Sequence, residues 1–146
     1  MSFVKFVMIS GLTIGAVQLW KHHEHARYES AILASADTSG FVEILMPNGA
    51  QPDTVLILAA RNCPSAAARR ADDLARQLTA MGVPNVRSDQ VSFTFDRRNQ
   101  DQIDRLNRGA VVGNGEIPAV FINGMGKANP TTDEVVAEYR HVRSSL

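Results

Sequence analysis

The stretch from Thr54 to Gly82, TVLILAARNCPSAAARRADDLARQLTAMG, decides the fold. It opens with an apolar, partly β-branched run, Thr54-Val55-Leu56-Ile57-Leu58-Ala59-Ala60. Its length and composition suit a strand buried on both faces. Arg61-Asn62-Cys63 connect it to Pro64. Beyond lie Ala67, Ala71, Leu74, Ala75, Leu78 and Met81, spaced three and four apart with charged residues between them. That spacing predicts an amphipathic helix. Gly82 suits its C-cap, and Pro84 follows. Proline is favoured at the first helical position. This puts Pro64 there and Cys63 at the N-cap, where free backbone N–H groups and the helix dipole favour a thiolate.

Cys63 is the single cysteine of the 146 residues. An intramolecular disulfide and a cysteine-based zinc site of the usual kind are therefore excluded. A structural thiol, a reactive thiol and an intermolecular bridge remain open. Apolar residues make up 45% of the chain and charged ones 21%, which suffices for an ordinary core. The net charge is zero, so the basic footprint of a nucleic-acid binder is missing.

Before the core stretch the chain has a separate N-terminal module. Phe6 to Trp20 carries no charged residue, with Phe3, Val4 and Lys5 ahead of it. Residues 3–20 read as an uncleaved signal anchor that crosses the membrane once, with Lys5 snorkelling. A cleaved signal peptide and a soluble apolar helix are the alternatives. The short N-terminal flank favours a domain on the non-cytoplasmic side. His22, His23 and His25 form a cluster of a type that can bind metal. With few carboxylates nearby they read as part of a solvated juxtamembrane helix, which continues through Ala31-Ile32-Leu33-Ala34.

After this module Phe41–Met46 predicts a strand, and Pro47-Asn48-Gly49 a turn. Val86 to Phe95 reads as extended, with Val91, Phe93 and Phe95 alternating with Ser92 and Thr94. Asp101–Asn107 reads as a short helix, and Gly109–Glu116 as a glycine-rich turn. Ile117-Pro118 leads into the strand Ala119–Ile122. Asn123-Gly124 is a strong hairpin signal of type I′. Met125–Ala128 forms the return strand. Thr131 and Glu134 have capping-box spacing at the start of the closing helix.

Taken from about Phe41 onward, the chain resembles the thioredoxin-like superfamily, and its second half resembles glutaredoxins most. Three features carry the resemblance: the strand–Cys63-Pro64–helix joint, the proline-led hairpin from Ile117-Pro118 to Gly124, and the terminal helix behind it. The resemblance implies an α/β, three-layer thioredoxin-like fold with a central mixed sheet over residues 39–146; the apolar helix read from residues 3–20 precedes it within residues 1–38. It implies a cis bond at Ile117-Pro118, with that proline beside the cysteine. Cys63 would be the catalytic thiol, and Pro64, Ile117 and Pro118 the substrate-binding residues. Backbone groups of Ile117 would pair with an extended thiol substrate, a form of strand addition.

Two departures limit this. The family's Cys-x-x-Cys here reads Cys63-Pro64-Ser65-Ala66, so no dithiol cycle is available. A monothiol mechanism remains, in which an external thiol resolves the mixed disulfide. The Gly-Gly-x-Asp segment that glutaredoxins place near the glutathione carboxylate is replaced by Gly126-Lys127-Ala128-Asn129-Pro130, which weakens the case for glutathione. Lys127 reads as a solvated hairpin lysine, with anion binding beside the last helix as the alternative. Ser65 reads as a local hydrogen-bonding residue, and Arg69 and Arg70 as a solvated helix face. No metal ligand and no resident cofactor are expected, glutathione being the one small thiol the resemblance suggests. Two functions fit: a membrane-anchored protein that exchanges thiols through Cys63 with a thiol protein or small thiol, and an inactive thioredoxin-like module that docks a partner protein.

Overall fold

The computed structural model describes residues 30–32, 34, 36, 38–60 and 64–144. The chain divides into two units between Ser35 and Ala36. In the first, residues 30–32 and 34 are helical. The expected anchor Phe6–Trp20 and the three histidines lie outside the described residues, and so does Cys63. Among the described residues no helix is long and apolar enough to cross a membrane.

In the second unit the elements follow in the order β1 (Val42–Glu43), β2 (Val55–Leu58), α1 (Ala66–Ala80), β3 (Asn85–Ser88), α2 (Gln100–Asn114), β4 (Ala119–Ile122), β5 (Met125–Ala128) and α3 (Thr132–Ser144). The strands form one mixed sheet in the order β1-β5-β4-β2-β3. Only β2 and β3 are parallel; the other neighbours are antiparallel. The two central strands, VLIL and AVFI, are apolar throughout because helices cover both faces. Val55 and Ile57 of β2, with Val120 and Ile122 of β4, share a core with Ala71, Leu74 and Leu78 of α1 and Val135, Val136 and Tyr139 of α3. The alternate residues Leu58 and Phe121 face α2. The result is an α/β fold of three layers. Each large side chain buried here contributes about 1.5–3 kcal/mol.

Local signals explain most boundaries. Asn123 and Gly124 have φ of 43° and 89°, the positive pair that a type I′ turn demands. They place Ile122 opposite Met125. Gly82, at φ 72°, ends α1. Its N–H donates to Thr79 O, and that of Val83 to Leu78 O, the pair of bonds that defines a Schellman cap. Met81 lies past the helix end and is exposed rather than part of the apolar face.

Three expectations need correction. First, α1 starts at Ala66 with Ser65, not Cys63, as its N-cap. The Ser65 hydroxyl accepts the N–H of Ala68 at 3.2 Å, and serine is among the strongest N-caps. Second, Gly109–Glu116 is no loop. Helix α2 runs from Gln100 to Asn114, capped by Asn99, and contains most of that stretch. Gly109 and Gly113 stand four apart on one face. A Cβ on Gly109 would meet Ile44 Cβ at 3.7 Å, and one on Gly113 would meet Leu58 Cδ2 at 3.8 Å. The bare glycine face lets the helix lie close on the sheet. Third, Val91–Phe95 pairs with no strand, although its side chains alternate between half-buried and exposed. Asn48 holds it instead: its N–H donates to Ser92 O at 2.8 Å, and its Oδ1 accepts the N–H of Thr94 at 3.1 Å.

The glycine face gives a first prediction. At 3.7 Å a methyl at 109 makes an ordinary contact, so Gly109→Ala should be neutral or should stabilise by up to about 1 kcal/mol through helix propensity. Gly109→Leu should destabilise by about 1–3 kcal/mol, because it forces the helix off Ile44. Urea denaturation of the two variants checks this; equal effects would show that α2 does not rest on that face.

Candidate functional site

The antiparallel register of β2 and β4 decides which loops meet. Leu56, Ile57 and Leu58 stand opposite Phe121, Val120 and Ala119. The ladder ends at that last pair, so Ala59 and Ala60 leave β2 at the end of the sheet where Ile117 and Pro118 enter β4. Ala60 is followed at once by Arg61-Asn62-Cys63. Ala59 and Ala60 therefore leave the sheet on the side of the Ile117-Pro118 loop.

That loop has a fixed form. The Ile117–Pro118 peptide bond is cis, the isomer the resemblance implies. Pro118 is buried, Ile117 half-buried and Pro64 exposed. The carbonyl of Pro118 accepts the N–H of Asn129 at 2.7 Å, which ties the loop to the residue after β5. The carbonyl of Ile117 accepts from Arg70 Nη2 at 2.8 Å. Among the described residues the N–H of Ile117 has no hydrogen-bond partner.

Three arginines end on backbone carbonyls around this place. Arg70 reaches from α1 to Ile117 and lies 3.8 Å from exposed Glu116. Arg69 Nη1 donates to Pro64 O at 2.6 Å, the carbonyl next after Cys63. Arg87 on β3 donates from Nη2 to Ala60 O at 3.3 Å and pairs with Asp72 of α1. Guanidinium groups thus sit on the carbonyls of Ala60 and Pro64. Arg69 and Arg70 are exposed, as their spacing predicts, yet each has a definite backbone partner. Arg87 carries no signal in the sequence: its contacts with Ala60 and Asp72 depend on the β2–β3 pairing.

A groove of ≈ 290 Å³ opens beside the loop, lined by Pro118 with Arg70, Leu74 and Gln77 of α1 and by Pro130 and Thr131 before α3. A larger hollow of ≈ 350 Å³ lies by β3, between Val86, Ser88 and the turn at Gly49. Size does not choose between them. The smaller groove is lined by Pro118 of the loop and by Arg70, which binds the Ile117 carbonyl, so it is the candidate site. Among the described residues no group of three or more histidine, cysteine, aspartate or glutamate side chains is placed to hold a metal ion.

The wall at α3 is built by a capping box, as its spacing predicts. Thr131 N–H donates to Glu134 Oε2 at 2.8 Å, and Glu134 N–H donates to Thr131 Oγ1 at 3.3 Å. Lys127 corrects the solvated reading. Only 19% of its side chain is exposed, and its Nζ lies 2.9 Å from Glu134 Oε1, donates to Ser39 O at 2.7 Å and stands 5.7 Å from the Phe41 ring centroid. With these partners it is a strut between the hairpin and α3. The hydrogen bond from Lys127, and then that from Thr131 N–H, hold the Glu134 carboxyl below the ordinary glutamate value.

Compared with known proteins, the chain matches no family model, no curated protein and no solved structure.

The lowered Glu134 carboxyl makes a pH prediction. A depressed folded-state value means stability that is present above the unfolded value of about 4.5 and is lost as pH falls through the folded one. Glu134→Gln should therefore melt below the parent at neutral pH, and the gap should close as pH drops under about 4.5. Thermal midpoints across that range decide it. A gap that stays constant into acid would mean the carboxylate charge has no part in the strut.

Proposed function

We propose that residues 39–146 form a thioredoxin-like domain, glutaredoxin-like in its second half, that carries out monothiol disulfide exchange through Cys63. Residues 3–20 would anchor it to a membrane, with the domain on the non-cytoplasmic side. The element order, the sheet order and the cis bond before β4 support the fold assignment. The observation that carries the function is the register of β2 against β4, which brings Ile117-Pro118 beside the residues leading into Cys63. Among the described residues the N–H of Ile117 has no partner, and Pro118 beside it lines a groove.

The chemistry follows from the single cysteine. The Cys63 thiolate attacks one sulfur of a disulfide. The bond between Cys63 Sγ and that sulfur forms as the old S–S bond breaks, and the departing thiolate takes a proton from water. A second, external thiolate then attacks the mixed disulfide, leaves with the bound sulfur as a new disulfide and restores Cys63. The protein gains no electrons over the cycle. Substrate and resolving thiol are a thiol-bearing protein or a small thiol such as glutathione. Neighbouring guanidinium groups favour the thiolate over the thiol. Pro64 and Pro118 would flank the sulfur, and Ile117 would hold the bound chain by its N–H.

Cys63→Ser in the full chain should abolish exchange with bis(2-hydroxyethyl) disulfide while leaving the circular dichroism spectrum unchanged. Neither form should reduce insulin by a dithiol route, because no resolving cysteine exists. A folded protein whose Cys63 stays inert to that disulfide and to iodoacetamide would overturn the exchange reading. The groove would then serve as a docking surface for a partner protein.

A further inference from the structure

The chain enters β1 through Ser39, Gly40 and Phe41, and this short stretch is tied to the last two elements of the fold. The Ser39 carbonyl accepts from Lys127 Nζ at 2.7 Å, and the Ser39 hydroxyl donates to Glu138 Oε2 of α3 at 3.2 Å. Phe41 is fully buried, its ring centroid 5.7 Å from Lys127 Nζ. Gly40 between them has φ 78°, and a Cβ there would stand 2.7 Å from Lys127 Nζ. Glycine is what lets the ammonium lie against this backbone.

The same ammonium also reaches α3. It lies 2.9 Å from Glu134 Oε1, while Glu134 Oε2 accepts the N–H of Thr131 at 2.8 Å. Thr131 and Pro130 line the groove together with Pro118. A line of polar contacts therefore runs from Ser39 through Lys127 and Glu134 to Thr131 and ends in the groove. A lysine side chain loses much rotamer freedom when it is held. Pinned by the Ser39 carbonyl, Nζ stays on Oε1 and leaves Oε2 to the Thr131 amide. Without that pin the ammonium turns to water, the carboxylate is no longer fixed, and the capping box loosens.

We infer that Ser39–Phe41 is a strap whose docking holds the α3 wall of the groove, with Lys127 as the positioning residue between them. Undocking the strap loosens that wall. A partner or a pull acting on the chain just ahead of Ser39 thereby alters the groove without touching it. The inference uses the groove but neither Cys63 nor the exchange reading, and its test involves no thiol chemistry.

The readout is the exchange rate of the Thr131 amide proton with water in the full chain, with the Val120 amide of β4 as the control for global opening. Gly40→Ala pushes the ammonium aside and should raise the Thr131 rate about two- to tenfold, the worth of one hydrogen bond, with a smaller change at Val120. Lys127→Met, which keeps an apolar stem beside Phe41, should raise it by a similar factor. Adding Gly40→Ala to Lys127→Met should change the Thr131 rate no further, because the side chain that carries the coupling is gone. A Thr131 rate unmoved in folded Gly40→Ala overturns the inference, and so does a Gly40→Ala effect of equal size with and without Lys127. Should Gly40→Ala fail to fold, Ser39→Ala, which removes the hydroxyl bond to Glu138, takes its place in the same comparison and is read by the same two criteria.

Discussion

Everything in the second unit depends on β4 lying between β2 and β5. All four of its residues, Ala119 to Ile122, are buried, at 0–1% exposure. Val120 and Ile122 pack under α1 and α3, while Phe121 faces α2. A strand buried on both faces cannot slip by one residue without sending Phe121 into the other layer, so its register is strongly specified. That register, not any single side chain, carries Ile117 and Pro118 to the end of β2. The meeting of the Ile117-Pro118 loop with the end of β2 is a by-product of core packing.

Polar contacts then set the loops on this frame. Asn129 fixes the carbonyl of Pro118, Arg70 that of Ile117, Arg69 that of Pro64 and Arg87 that of Ala60. Backbone carbonyls beyond the ends of strands lack ladder partners, and side chains or loop amides supply them here. The arginines and the Asn129 amide satisfy them.

Much of this was legible in the sequence where the signal is local. The Asn123-Gly124 turn, the Gly82 cap and the Thr131–Glu134 box all depend on residues within five positions of one another, and each appears where its pattern places it. The N-cap of α1 falls at Ser65 and not at Cys63 because the serine hydroxyl caps the helix, a stronger local signal than a proline's preference for the first turn. The glycines of α2 misled for a different reason. Gly109 and Gly113 weaken a helix by propensity, but the sheet surface they rest on stabilises it, and that surface exists only after folding. The contacts of Arg70 with Ile117 and of Arg87 with Ala60 span 47 and 27 residues and carry no local pattern at all. They could be placed only once the strand register was known.

The central claim is that Cys63 and the Ile117-Pro118 loop form one site. Amide resonances of the full chain, recorded before and after Cys63 is converted to its mixed disulfide with 2-mercaptoethanol, test it most directly. The account predicts clear shifts at Ile117 and at Arg70, in addition to the immediate neighbours of Cys63. Shifts confined to the sequence neighbours of Cys63, with Ile117 unmoved, would contradict it.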